Sequence, residues 1–264
     1  MASDTPLKLP RRALGSTGIE VSPIGLGTVK LGRDQQVKYP RAFRIPDDHA
    51  VRELLSLARD LGIDLIDSAP AYGQAEQRLG RLLPGPRDAW VIVSKAGERF
   101  HQGRSFFDFR FDAIVASVEQ SLRDLRSDYL DAVLIHSDGN DLAILEQGEA
   151  VDALETLKQR GLIRAHGMSS KTVAGGLAVV EQMDVVMATC NTQYNEEREV
   201  LEAAARHGKG VLIKKALQSG HDSDIESAMR HVFSQPGVDA IIVGTIDPGH
   251  LREDARIAAR VLGA

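Results

Sequence analysis

Leu65-Ile66-Asp67-Ser68-Ala69-Pro70-Ala71-Tyr72-Gly73 begins as an apolar strand over Leu65–Ala69 and ends in a proline-bearing turn. It follows on Asp47–Gly62, where Val51, Leu54, Leu55, Ala58 and Leu61 share one helical face and Gly62 is suited to end the helix. The same rhythm extends in both directions. Further strands are predicted over Ile24–Thr28, Trp90–Ala96, Tyr129–His136, Ile163–Ser169, Val185–Asn191, Gly210–Leu217 and Ala240–Thr245. Their continuous apolar runs suit parallel strands covered by helices. Helical patterns lie between them over Phe111–Arg126, Glu149–Arg160, Thr172–Gln182, Glu196–His207, Asp224–Ser234 and Pro248–Leu262, with Pro248 in the favoured first turn. A short hairpin is predicted around Gly15–Gly18. About eight strand-then-helix units predict an α/β fold, a single (β/α)8 TIM barrel domain over residues 1–264 that ends just after its eighth helix. The competing open doubly wound sheet usually has fewer strands, and no GxGxxG opens the first helix here.

At 264 residues, 43% hydrophobic and 26% charged, the chain is long enough to bury one large core. Its formal net charge of -5 gives no global reason to bind nucleic acid or an anionic membrane. Cys190 is the only cysteine, which excludes an internal disulfide and a cysteine-based zinc cluster, and no metal site is expected. Met1–Arg12 lacks the apolar core of a signal peptide, and no stretch is apolar for the roughly 20 residues that span a bilayer. The expectation is a cytoplasmic protein.

Active sites of such barrels gather at the C-terminal ends of the strands, so polar residues there are the candidates. Strand two runs into Asp67 and Tyr72, strand three ends near Ser94-Lys95-Ala96-Gly97, and strand four ends in Ile135-His136-Ser137-Asp138. Taken singly, each has an ordinary explanation: a turn cap for Asp67, a loop tyrosine for Tyr72, a snorkelling lysine for Lys95, a structural histidine for His136. Joint placement on one rim favours chemistry instead. A carbonyl receiving hydride develops charge on oxygen and needs a proton donor or a positive field. Tyr72 can donate, with a free pKa of about 10. Lys95 would lower that pKa, Asp67 would keep Lys95 charged and oriented, and His136 would hydrogen-bond the substrate oxygen or relay the proton. The four positions resemble the Asp, Tyr, Lys and His tetrad of the aldo-keto reductase family. The resemblance covers nearly the whole chain, with the motifs in the expected order.

That resemblance implies an NAD(P)-dependent oxidoreductase that reduces aldehydes or ketones, with Tyr72 as general acid and NADP, by family habit, ahead of NAD. Gly27 and Thr28 in Gly25-Leu26-Gly27-Thr28 match the family's first strand-loop signature and, with Asp67, line the cofactor. Ser169 and Ser170 resemble part of its Gly-x-Ser-Asn segment, with Ser170 in place of Asn, and Gln193 joins them on the nicotinamide carboxamide. The family often has an aromatic residue where Lys214 stands, so Lys214 and Lys215 are assigned to the pyrophosphate or another carboxylate, with Leu217 beside the cofactor. Gly244 and Thr245 precede the last helix, whose free backbone donors suit an adenosine phosphate. His250, Glu253 and Asp254 fall at the adenosine end. Many relatives carry a basic residue, an Arg and an Asn at Gly244, His250 and Asp254.

Phe100, Phe106 and Phe107, with Tyr72 and His136, are expected to wall the substrate pocket, and an apolar wall suits an aromatic or aliphatic carbonyl compound. Phe111 is expected to pack on the third helix. The chain's end soon after the eighth helix predicts an open pocket and broad selectivity. Asp138 and Asp141 add an acidic edge after His136. Two other readings use the same barrel: a nicotinamide-sensing regulatory protein, or a lyase using Lys95 as a Schiff-base nucleophile, which needs a depressed lysine pKa.

Overall fold

The computed structural model describes residues 9–263. Two antiparallel hairpins stand outside the main sheet, β1 (Arg12–Ala13) with β2 (Glu20–Val21) and β6 (Glu98–His101) with β7 (Arg104–Phe107). Eight parallel strands close into a barrel: β3 (Ile24–Gly27), β4 (Leu65–Asp67), β5 (Val91–Ala96), β8 (Leu130–His136), β9 (Ile163–Ser169), β10 (Val185–Thr189), β11 (Gly210–Lys214) and β12 (Ala240–Val243), which pairs back to β3. Around it lie α1 (Val29–Gly32), α2 (Asp48–Asp60), α3 (Ala75–Leu82), α4 (Phe111–Leu125), α5 (Asp141–Gln147), α6 (Glu149–Gln159), α7 (Val173–Gln182), α8 (Arg198–Arg206), α9 (Ile225–Phe233) and α10 (Pro248–Leu262). This is the expected (β/α)8 barrel. β11 stops three residues short of the predicted Leu217 (217 − 214), because Lys215 adopts a left-handed φ of 58° that no strand can continue.

Apolar side chains form two shells. Leu65, Val91, Val93, Ala132, Leu134, Ala165, Val185, Met187, Leu212 and Ala240 fill the barrel, and Leu14, Ile19 and Val21 of the β1–β2 hairpin plug its floor. The outward residues of the strands, such as Ile66, Ile92, Val133, Met168 and Ile213, pack with the helices. Side chains therefore alternate inward and outward along each strand.

The sequence pattern did not disclose α1, α3, α5 or the β6–β7 hairpin. α3 shows why, because its inner face buries Glu76 and Arg78 and so breaks the apolar period. Glu76 accepts hydrogen bonds from Ser94 and Ser121, while Arg78 donates to the carbonyls of Leu31 and Pro46 and pairs with Asp48. Buried polar groups persist only when so hydrogen-bonded, and those partners come from distant segments; burial still raises the Glu76 pKa to about 7. The reading of Met1–Arg12 as lacking a signal falls mostly on residues outside those described. Among the described residues, no helix is long and apolar enough to cross a membrane.

Candidate active site

The two-residue period of the strands assembles the site. Leu65 faces the barrel interior, so Asp67 does too; Val93 brings in Lys95, Leu134 brings in His136, Ala165 brings in Ser169, and Leu212 brings in Lys214. All five stand on the last inward positions of their strands, above the apolar fill. The Lys95 ammonium donates to Asp67 Oδ1 and, at 3.0 Å, to the Ser68 carbonyl. Burial alone would strip its proton, but the Asp67 carboxylate and neighbouring Tyr72 raise its pKa above the ordinary lysine value.

Tyr72 ends a 3-10 turn, Pro70–Tyr72, that leans over these residues. Gly73 and Gly32 let that turn press against α1: a Cβ on Gly73 would lie 2.2 Å from the Gly32 carbonyl oxygen, and one on Gly32 would lie 2.2 Å from that of Tyr72. The Lys95 ammonium is 4.9 Å from the centre of the Tyr72 ring, and the His136 ring crosses it edge-on at 6.2 Å. The expected fall in the Tyr72 pKa is corrected here. Burial pushes the phenol up to about 12, outweighing the favourable Lys95 charge, so the hydroxyl keeps its proton through neutral pH.

Glu98, which sequence reasoning did not single out, faces the same space. Its Oε2 lies 2.8 Å from His136 Nδ1, and its Oε1 accepts from Ser105. Only a motif-independent search for carboxylates after strand three could have flagged it.

Several predicted cofactor residues are placed differently from expectation. Thr28 is fully buried, with its hydroxyl 2.9 Å from the Asp67 carbonyl, so it braces Asp67 instead of facing the mouth. Ser170 is also fully buried, with its hydroxyl toward Gly176 of α7 and no hydrogen-bond partner. Lys214 reaches across β10 and donates to Ser169 Oγ at 2.9 Å and to the Ser170 carbonyl. Burial, with nearby Lys215 and Lys95, pulls its pKa down to about 7 against the attraction of Glu197. Gln193, Lys215, His250 and Glu253 lie exposed on the rim, and Leu217 packs half-buried against the outer core.

The α10 N-terminus is not the open anion site anticipated. Asp247 accepts from the backbone of Gly249 at 2.7 Å and of His250 at 3.2 Å, leaving a carboxylate where a phosphate was expected. Thr245 is buried and receives the Asp247 N–H, Gly244 lies against the Tyr39 hydroxyl, and Asp254 is buried with its pKa raised by that burial to about 6.

The aromatic wall is only partly realised. Phe106 pairs with Arg99 on the face of the β6–β7 hairpin opposite Glu98 and is 56% exposed, so it does not line the mouth. Phe107 pairs with Glu98 on the mouth side, and Phe100 lies under the Arg33 guanidinium at 3.5 Å. Phe111 opens α4 and packs against the outer core.

Asp141, the unassigned acid after strand four, ties two rim loops together. Its carboxylate accepts from Ser137, from the backbone of Lys171 at 2.8 Å, and from the backbone and hydroxyl of Thr172, each at 2.7 Å. These donors hold its pKa below the usual carboxylate range despite burial. Asp138 instead caps the local turn at Asn140. A depressed folded pKa adds stability above the unfolded value of about 3.9, and that stability is lost as pH falls through the folded value. Asp141→Asn is therefore expected to cost about 2–3 kcal/mol at pH 7, and the deficit should shrink below roughly pH 4 as the wild-type carboxyl protonates. Urea denaturation at both pH values measures it; a deficit unchanged with pH would refute the carboxylate role.

The closed barrel of eight parallel strands with its surrounding helices sets the fold class. The pattern described as the Aldo/keto reductase family matches residues 23–224, and this chain belongs to that family of oxidoreductases, which generally use NAD(P)H. It is similar to a Pseudomonas aeruginosa protein of solved structure named as a candidate aldo-keto reductase, at 54% identity, covering 99% of this chain and 98% of that one with a TM-score of 0.90. It is 32% identical to the aldo-keto reductase YhdN of Bacillus subtilis over 96% of this chain and 89% of that one. It is 30% identical to L-galactose dehydrogenase of Arabidopsis thaliana over 81% of this chain and 67% of that one.

Proposed function

We propose that this protein reduces aldehydes or ketones to alcohols with NADH or NADPH, with Tyr72 as the proton donor. The observation that carries this reading is the convergence of Asp67, Lys95 and His136, from three adjacent strands, beneath the partly buried Tyr72.

A nicotinamide dinucleotide suits the donor set. Ser169 Oγ and the Ser170 carbonyl are neighbouring acceptors now bound to an ammonium. A carboxamide N–H can replace that ammonium, and Lys214, with a pKa near 7, gives up its charge at small cost. Gln193 stands exposed at the same rim, and Lys215 supplies positive charge for the pyrophosphate. When bound, the reduced cofactor supplies the hydride. As the carbonyl carbon receives it, the C=O π electrons move to oxygen, which takes the Tyr72 proton. Lys95 then faces the resulting phenolate, and Asp67 keeps Lys95 oriented.

Lys95 is poorly suited to the lyase reading, because its ion pair raises its pKa when a Schiff-base nucleophile needs it lowered. A reducing cytoplasmic compartment suits both the cofactor and the single thiol, Cys190. The half-exposed Phe107 and the Phe100 ring supply an apolar side for a small carbonyl substrate.

Family habit favours NADP, but Asp247, Glu253 and Asp254 would repel a 2′-phosphate and outnumber the groups that could attract it there, His250 and the exposed Arg252. NADH is accordingly expected to bind at least as tightly as NADPH. Fluorescence titration with each, followed by absorbance decay on adding a reactive aldehyde, tests both statements. Turnover with either cofactor supports the proposal. Binding without turnover would favour a regulatory barrel, and binding of neither would refute the proposal.

A further inference from the structure

β10 aims Val185 and Met187 into the barrel, so Thr189, at the end of the strand, faces the mouth. Its register partner on β11 is Lys214, and that of Met187 on β9 is Ser169. To reach Ser169 Oγ at 2.9 Å and the Ser170 carbonyl, the Lys214 side chain lies across β10 just where Thr189 ends it. Its ammonium rests there on neutral oxygens.

The loop after β10 brings Glu197 to the same place. Glu197 holds the N-cap position of α8, yet its side chain makes no capping bond. The residue is 1% exposed, Oε2 of its carboxylate has no hydrogen-bond partner, and the Thr189 backbone N–H and hydroxyl face that carboxylate. Burial raises the Glu197 pKa and lowers that of Lys214, and each is the strongest charge acting on the other. Asp141, the other carboxylate near Lys214, is already taken by Ser137, Lys171 and Thr172. A buried ammonium on neutral acceptors beside a buried carboxylate with a bare oxygen is an ion pair held open.

We propose that Glu197 is a positioning residue for the dinucleotide, the seat that receives the Lys214 ammonium when the nicotinamide carboxamide takes Ser169 Oγ and the Ser170 carbonyl. This inference rests on the reductase reading and deepens its cofactor site. Losing a proton would also free Lys214 from Ser169, but Glu197 lets the lysine leave with its charge. A flexible lysine stem swings its ammonium about the fixed Lys214 Cα by rotamer changes alone, from Ser169 on one side of Thr189 toward Glu197 on the other. The exchange leaves no group short. The carboxamide N–H replaces the ammonium as donor to Ser169 and Ser170, and the ammonium gives Glu197 Oε2 the partner it lacks. Without that carboxylate, the displaced ammonium would be buried with no acceptor of opposite charge.

NADH and ADP-ribose together separate this role from a structural one, because ADP-ribose keeps the pyrophosphate and lacks the carboxamide. By calorimetric titration, Glu197→Gln should weaken NADH binding about 10-fold or more while ADP-ribose stays within about 2-fold of wild type. Removing the lysine should rescue the loss. The double variant Glu197→Gln/Lys214→Met, with no ammonium to seat, is expected to regain most of the NADH affinity. Equal losses for both ligands would overturn the proposal, as would undiminished NADH affinity in Glu197→Gln. A crystal structure of the wild-type protein with NADH decides the matter even if the variants fail to fold, and it should show Lys214 Nζ within about 4 Å of the Glu197 carboxylate. Lys214 still bound to Ser169 in that complex would refute this inference and leave the reductase reading standing. Failure of the wild-type protein to bind NADH would remove both.

Discussion

Tyr72→Phe is expected to bind nicotinamide dinucleotide nearly as wild type does and to lose about 10²–10⁴-fold in carbonyl turnover. The substitution removes one hydroxyl and keeps the ring that packs beside His136 and over Lys95. The residues proposed to hold the cofactor, such as Ser169 and Lys215, stand elsewhere on the rim and are untouched. Because burial keeps the Tyr72 phenol protonated, with a pKa of about 12, its donor form persists across the neutral range, and wild-type reduction should show no loss from tyrosine ionisation below about pH 11. Steady-state kinetics with separate cofactor titration checks this. Turnover within a few-fold of wild type would remove Tyr72 as the acid, whereas lost cofactor binding would show that the ring's position had changed.

Lys95→Met is the second large effect, and it separates folding from chemistry. The Lys95 side chain is 2% exposed and its Asp67 partner 6%, so removing the ammonium strands a carboxylate in the barrel. Breaking such a pair costs about 3–5 kcal/mol, whereas replacing both members with apolar groups of similar volume is often close to neutral. The double variant Asp67→Leu/Lys95→Met should therefore recover most of the stability lost by Lys95→Met in urea denaturation. Neither variant should reduce a carbonyl compound at an appreciable rate, since both lack the cation facing the Tyr72 oxygen. A double variant as unstable as the single one would show that the ion pair is not the source of the loss, and wild-type turnover in either would exclude Lys95 from the chemistry.

The barrel was legible because its information is local and periodic. Leu65–Asp67, Leu130–His136 and Ile163–Ser169 are apolar enough to be read as buried strands, and each carries its polar residue at the C-terminal end, where a barrel gathers chemistry. Asp67, Lys95 and His136 could thus be assigned to one rim before their contacts were known. α3 escaped notice because Glu76 and Arg78 occupy its buried face, and the hairpin that carries Glu98 has no periodic signal of its own.

What the sequence by itself determined is the strand-and-helix order, the alternation that aims alternate residues inward, and hence the residues that meet at the mouth. What only the tertiary structure decided is the partner each polar group takes there. Ser170 turns its hydroxyl toward α7, Lys214 crosses to β9, Asp247 caps the turn expected to hold a phosphate, and Glu98 folds over onto His136. Periodicity depends on neighbours a few residues apart, whereas these contacts depend on how separate strands and loops close around one axis. Desolvation then weights each of them by its burial, which raises Tyr72 and lowers Lys214 in the same mouth.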